Sequence, residues 1–258
     1  MRWKYPIPLP GDTRQALRRF PPGRCRNPGL LFDRYVPDWG RNSNLKKAGL
    51  EMVRQTRVDV RLLGELEKRW RALLRSRNAA VFEASPQWRL IVGLGRKGPL
   101  EVGFTFHRLY GVPIIPGSSL KGIARAYASL VLGKSEDDPD FCAIFGRGPD
   151  SEGGEGQVGR AVFFDAIPIS EPHLELDVMN PHFPRYYQGD EAPSDWQSPV
   201  PIYFLTVGRG TRFLFGVGWQ GILDDEAARL RDMAAKWLRD GLQELGAGAK
   251  TSAGYGFF

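Results

Sequence analysis

Between residues 246 and 256 the chain reads GAGAKTSAGYG, and no other segment limits its folding so narrowly. Just before it, Leu230, Met233, Trp237, Leu238, Leu242 and Leu245 recur at helical spacing behind Asp224, a residue suited to opening a helix. Gly246 therefore reads as the helix stop, with a strand-like tail expected over residues 251–258. Glycine at 246, 248, 254 and 256 removes side-chain bulk and permits positive φ. Two uses are open. The segment can be a turn that needs close packing, or it can bring backbone amides up to a sugar-phosphate chain. In the second case Lys250 supplies charge, Thr251 and Ser252 supply hydroxyls, and Tyr255 can stack or stay in the core. A Walker-type phosphate loop fits poorly, because Ala249 precedes Lys250 where that motif has glycine and the order runs helix into strand.

PGSSLKG at residues 116–122 forms a second segment of this kind. Ser118 or Ser119 can cap a helix with Leu120, Ile123, Tyr127 and Leu130 on one face, reaching Leu132 and ending at Gly133. Free amides, two hydroxyls and the cations Lys121 and Arg125, four apart on one face, make an anion site. The plainer alternative is a capped helix carrying two solvated cations.

Strand patterns occupy residues 87–93, 100–107, 159–169, 174–179, 201–207 and 212–219, and the Gly208 to Gly210 turn would join the last two as a hairpin. Two helices among these strands predict an α+β fold, an antiparallel sheet with both helices packed on it. A stripe of Leu45, Ala48, Met52, Leu62, Leu66, Trp70 and Leu73 predicts a long helix over residues 45–76, interrupted at Gln55 and Asp59 and open to a break near Gly64. Residues 1–44, with seven prolines, read as an extended arm. The division expected is a basic arm and helix over residues 1–85 and a core over residues 86–258, with an acidic, mobile insertion at about 134–156.

Charge is unevenly spread. The first 80 residues hold 19 Lys and Arg against 7 Asp and Glu, while the whole chain nets +7. Arg54, Arg57 and Arg61 crowd the polar faces of the long helix and are candidate RNA contacts. The acidic insertion would repel phosphate, so a nucleic acid is expected to pass elsewhere.

Catalytic and cofactor chemistry find little support. Cys25 and Cys142 lack any paired spacing, and no run of His and carboxylates suggests a metal site. GLGRKG at residues 93–98 matches a dinucleotide fingerprint but leads into extended structure, not a helix. No cofactor is expected. His107, His173 and His182 could do acid-base work with Asp165 or Asp177, or serve as structural or RNA-contacting residues; His182 is kept as a candidate RNA contact. No apolar run approaches a membrane span and the start of the chain lacks a signal peptide's apolar core, so a cytoplasmic protein with no membrane partner is expected.

PGSSLKGIAR at residues 116–125, GRAVFFDAIP at 159–168, the DVMNPHF stretch from Asp177 and the closing GAGAKTSAGYGFF together resemble the RAMP superfamily. Within it they are similar to the sixth-subunit family of the Cmr complex, the type III-B CRISPR RNA-guided effector. The resemblance implies a ferredoxin-like (RRM-like) core with the glycine-rich loop after its second helix. It also implies a non-catalytic scaffold role in antiviral defence, binding guide RNA and target RNA near the guide 3′ end. Expected partners are other RAMP subunits and the small helical subunit. The RNA-binding set is then Ser118, Ser119, Lys121, Arg125, Gly246, Gly248, Lys250, Thr251 and Ser252 with the helix arginines and His182. A RAMP-type endoribonuclease using His107 or His182 to process guide precursor is the rival.

Overall fold

The computed structural model describes residues 10–18, 22–35, 43–96, 100, 102–149, 155–181, 186, 189, 192 and 201–258. In chain order its helices are α1 (Gly11–Arg18), α2 (Pro28–Arg34), α3 (Ser43–Gln55), α4 (Val60–Ser76), α5 (Gly117–Leu130), α6 (Pro139–Phe145) and α7 (Asp225–Glu244). Its strands are β1 (Ala80–Ala84), β2 (Gly146–Arg147), β3 (Gln157–Val158), β4 (Ala161–Phe163), β5 (Ile167–Pro168), β6 (Leu174–Met179), β7 (Ile202–Val207) and β8 (Phe213–Trp219).

Strand β8, FLFGVGW, is buried at every position. A strand without a polar face needs partners on both edges and cover on both faces. Antiparallel β1 lines one edge, from Ala80 opposite Val217 to Ala84 opposite Phe213, and β4 and β5 share the other. Phe213, Phe215 and Val217 join the main core with α5 and α7, and Phe215 stacks on Phe82 at 4.9 Å. Leu214 points the other way, into a cluster with Leu63, Leu66 and Leu74 of α4. Gly216 is required there, because a β-carbon would lie 2.4 Å from Leu74 Cδ2. Each such large side chain taken from water contributes about 1.5–3 kcal/mol.

Helices α5 and α7 pair closely. Gly241 lets them approach, with Ile123 and Tyr127 3.0 and 3.1 Å from its empty β position, closer than ordinary van der Waals contact. Asp224 caps α7 by accepting from the Ala227 amide at 2.8 Å, as the sequence predicts.

The expected β7–β8 hairpin is corrected: β7 pairs with β6, from Leu174 opposite Val207 to Met179 opposite Ile202, whereas β8 lies in the other sheet. The chain changes sheets at Gly208 to Gly210, because β8 needs helices on its apolar face while Phe204 of β7 packs near Ile91, Val102 and Tyr255. Residues 87–93 and 100–107 are not ladders either. They make the single bridges Leu90 to Val207 and Phe106 to Pro113 and are turned aside at Gly93, φ 83°. The strand expected at 159–169 is divided into β4 and β5.

The long helix is two. Asp59 accepts from the amides of Arg61 and Leu62, so it caps a new helix, and the break falls at residues 56–59 while Gly64 stays helical. Register shifts with it: Leu63, Leu66 and Leu74 are buried and Leu62 is exposed. The amino-terminal arm also holds more structure than expected. Asn27 caps α2 by accepting from the Leu30 amide, Pro28 presets its first turn, and Leu31 and Phe32 enter the main core beside Leu50 and Val53 of α3.

Part of the acidic insertion is core. Asp138 caps α6, whose Phe141, Cys142, Ile144 and Phe145 are buried, and β2 pairs with β3 behind it; residues 150–154 lie outside the described set. The acidic count around it concealed this apolar cluster. Finally, the tail expected to be a strand forms a 3₁₀ turn at Thr251–Ala253.

Candidate nucleic-acid interface

The glycine-rich loop answers its two readings position by position. Gly248 and Gly256 serve close packing: a β-carbon would meet the Ile91 carbonyl oxygen at 2.0 Å and the Ala247 carbonyl oxygen at 1.9 Å. The Ala249 amide donates to Ile91 O, the Gly256 amide to Arg89 O and the Ala247 amide to Gly256 O. These bonds bind the loop to the extended segment that also pairs with β7. Gly246, φ 75°, ends α7 as expected. The stretch between them is different. Lys250 and Gly254 flank the 3₁₀ turn in the left-handed region, φ 61° and 87°, and nothing lies within 4 Å of a β-carbon at Gly254. Lys250 has no ion pair among the described residues, Thr251 is half-buried and Ser252 is exposed.

Tyr255 is core. Its ring packs against Trp88 and Phe204, and its hydroxyl donates to Asp177 Oδ2 at 2.6 Å. Arg89 completes the group, donating to Asp177 at 2.5 Å and Glu175 at 2.7 Å. Burial alone would raise the Asp177 carboxyl; the Tyr255 hydroxyl, the Val178 amide and Arg89 outweigh it and hold it low. Burial and the Asp177 carboxylate push the Tyr255 hydroxyl up to about 12.

At the start of α5 neither serine caps the helix. Pro116 is the cap residue, Ser118 and Ser119 are exposed, and the Gly117 amide donates to Asp165 Oδ1 at 2.7 Å. The protein's own carboxylate therefore takes one of the amides expected for an anion. Lys121 carries no ion pair among the described residues. Arg125 is committed, 2.5 Å from Glu136 and over the Phe141 ring, so the acidic segment expected to turn RNA away lies against a helix expected to bind it. The Gly241 contact with Ile123 places the loop's first residue and Lys121 within a few turns of each other on the paired helices.

The other predicted contacts do not join this cluster in any described interaction. Arg54 is held by Glu51 on its own helix, Arg57 by Glu171 at 3.1 Å, and Arg61 is exposed near Arg26 and Arg57 around a hollow of about 590 Å³. His182 lies outside the described residues. His107 accepts from the Leu109 and Tyr110 amides through Nδ1 at 3.2 and 3.3 Å, and burial lowers its pKa while Asp165 works in the opposite direction. Among the described residues no cluster of His, Cys, Asp or Glu could hold a metal ion, and no helix is long and apolar enough to cross a membrane.

Sequence reasoning missed two features, the Arg89, Glu175, Asp177 and Tyr255 group and the capping role of Asp165. Both aspartates stand in the quoted motifs, which was the available signal; the pairing partners are too distant in sequence to read.

Residues 89–258 match the model of the RAMP superfamily. The CRISPR system Cmr subunit Cmr6 of Pyrococcus furiosus is 36% identical over 239 residues, covering 71% of this chain and 68% of that protein. The CRISPR system CMR subunit Cmr6 of Saccharolobus solfataricus is 27% identical over 185 residues, covering 69% of this chain and 56% of its own length. A chain in the cryo-EM structure of the Type III-B Cmr-beta bound to cognate target RNA has the same fold, with TM-score 0.61 and 22% identity over 83% of this chain and 70% of that one. On the family match and the Pyrococcus identity together, this chain belongs to the RAMP superfamily.

Proposed function

We propose that this chain is an RNA-binding scaffold subunit of a type III-B CRISPR (Cmr) effector. The observation that carries the reading is the pair Lys121 and Lys250, cations without ion pairs among the described residues, each beside exposed hydroxyls. Lys250 holds a left-handed backbone that a lysine adopts at a cost, and such strain is retained where a side chain has work to do. The names of the Cmr6 relatives support membership of such a complex, with guide and target RNA, other RAMP subunits and the small helical subunit as partners. On this reading the strand is gripped near the guide 3′ end and specificity comes from guide–target pairing. The pairing of α5 with α7 against β8 supports a ferredoxin-like unit at the centre of residues 86–258. Residues 1–85 add elements around it and share its core, and the working compartment is the cytoplasm.

The role is read as non-catalytic. His107 uses Nδ1 as the acceptor of two amides, which leaves the proton on Nε2 and makes that nitrogen a donor in place of a general base.

Lys121→Ala with Lys250→Ala tests the track. Log affinity for single-stranded RNA against log salt should flatten by about 1.4, two lost contacts at about 0.7 each. An unchanged slope would overturn it. Incubating the full chain with labelled guide precursor in chelator is expected to give no cleavage; cuts abolished by His107→Ala or His182→Ala would establish the endoribonuclease instead.

A further inference from the structure

A second group of cations lines a cleft to which neither Lys121 nor Lys250 contributes. Helix α2, the turn after Gly93 and the turn after His107 enclose a cleft of about 540 Å³ whose charged lining is Arg34, Arg96, Arg108 and Asp33, with His107 beside them. The arginines come from three segments, that of Arg34 far from the other two in sequence, and the contacts that assemble them are tight. Asn27 donates to the Leu109 carbonyl at 3.1 Å while capping α2. Gly29 brings the first turn of that helix against Phe106, with its empty β position 2.8 Å from Phe106 Cβ. Gly103 passes so close to Arg96 that any β-carbon would overlap the Arg96 backbone oxygen at 2.6 Å. The cleft is preformed.

Arg125 and Arg229 are neutralised by Glu136 and Asp140. The arginines of this cleft are not. Among the described residues Arg34 and Arg108 are exposed with no ion pair, and the Arg96 guanidinium donates to the Phe104 carbonyl at 3.4 Å. Because Nδ1 of His107 is already an acceptor, its Nε2 carries a proton and adds a neutral donor. Three arginines against Asp33 leave the lining with a net charge of +2.

We propose that this cleft is a second RNA-backbone site, which holds phosphodiester oxygens of single-stranded RNA in the guanidinium forks of Arg34, Arg96 and Arg108. Guanidinium geometry matches phosphate oxygens in pairs. The aromatic residues of the lining, Phe32, Phe104 and Phe106, are buried against one another, so no ring face is offered to a base and the site reads backbone, not sequence. A protein partner would want an aromatic or apolar anchor at the centre, and the exposed apolar side chain lining this cleft is Leu30 alone. The inference rests on the RNA-binding reading above and extends it to a second set of cations.

The test uses the full chain, a short fluorescent single-stranded RNA and a salt series, comparing wild type, Arg34→Gln with Arg108→Gln, and Lys121→Ala with Lys250→Ala. The arginine variant should bind more weakly and flatten the log–log slope by about 1.4. An unaltered slope in that variant, with the lysine variant flattened, overturns the cleft and leaves the earlier reading standing. The reverse result supports the cleft and removes the lysine track. No RNA binding by the wild type overturns both. If the arginine variant binds RNA normally but loses a partner subunit, the cleft is a protein site and the proposal falls. Photocrosslinking of wild type with thiouridine-substituted RNA guards against misfolded variants: adducts on the peptides containing Arg34 or Arg108 are expected, and their absence counts against the site.

Discussion

The Tyr255 hydroxyl donates to Asp177 at 2.6 Å and so ties the glycine-rich tail to β6, 78 residues away in the chain. Tyr255→Phe removes that bond while Asp177 keeps Arg89. A loss of about 1.5–2 kcal/mol in denaturant unfolding is expected. The pH dependence follows from the direction of each shift. Asp177 titrates lower in the fold than the ordinary carboxylate value of 3.8, so its contribution is complete above that pH and fades as pH falls further. Tyr255, raised from 10.0 to about 12, contributes fully below pH 10 and loses that contribution as pH rises through about 12. Melting temperature against pH should show both flanks, and Asp177→Asn should remove the acid one.

Glycines of one loop should separate into two classes. Gly248→Ala or Gly256→Ala drives a β-carbon into a carbonyl oxygen and should cost about 3 kcal/mol or prevent folding. Gly254→Ala has open space and meets only the left-handed penalty, about 1 kcal/mol. Equal costs at Gly248 and Gly254 would refute the packing role.

Glu136→Gln should strengthen RNA binding. It releases Arg125 from its 2.5 Å pair, and a freed cation on α5 should steepen the salt slope by about 0.7 if RNA runs past that helix. Arg125→Ala alone should change little, since its charge is already answered. A filter-binding salt series on the two variants checks both.

Lys250→Gly should stabilise the protein and weaken its ligand together. Glycine relieves the φ of 61° for about 1 kcal/mol, read as a rise in melting temperature, while one phosphate contact is lost. A variant that gains stability and keeps full RNA affinity would show that the strain serves packing only.

Local signals in the sequence were dependable where a single residue decides the outcome. Asp224 opening α7 and Gly246 closing it both fall where the spacing puts them. What escaped was set by distant partners. Nothing near Thr206 says that β7 will bond to β6 instead of β8, because both strands are apolar enough for either sheet. Asp165 could not be read as the partner of the Gly117 amide from 48 residues away, and so Ser118 and Ser119 were given its task. The candidate site was legible as residue types at Lys121 and Lys250, but which cations would be spent on internal acids, as Arg125 is on Glu136, depends on a helix hidden in an acidic stretch.

The position of β8 also governs when the chain can fold during synthesis. Strands β1, β4 and β5 all precede this one element in the chain and all pair with it. Until it leaves the ribosome those edges have no partner, so the central sheet forms late and from contacts of long sequence separation. A messenger cut short before that strand yields no smaller working subunit, only a polypeptide with open edges. Newly made protein thus becomes competent to join an assembly only once β8 has been made.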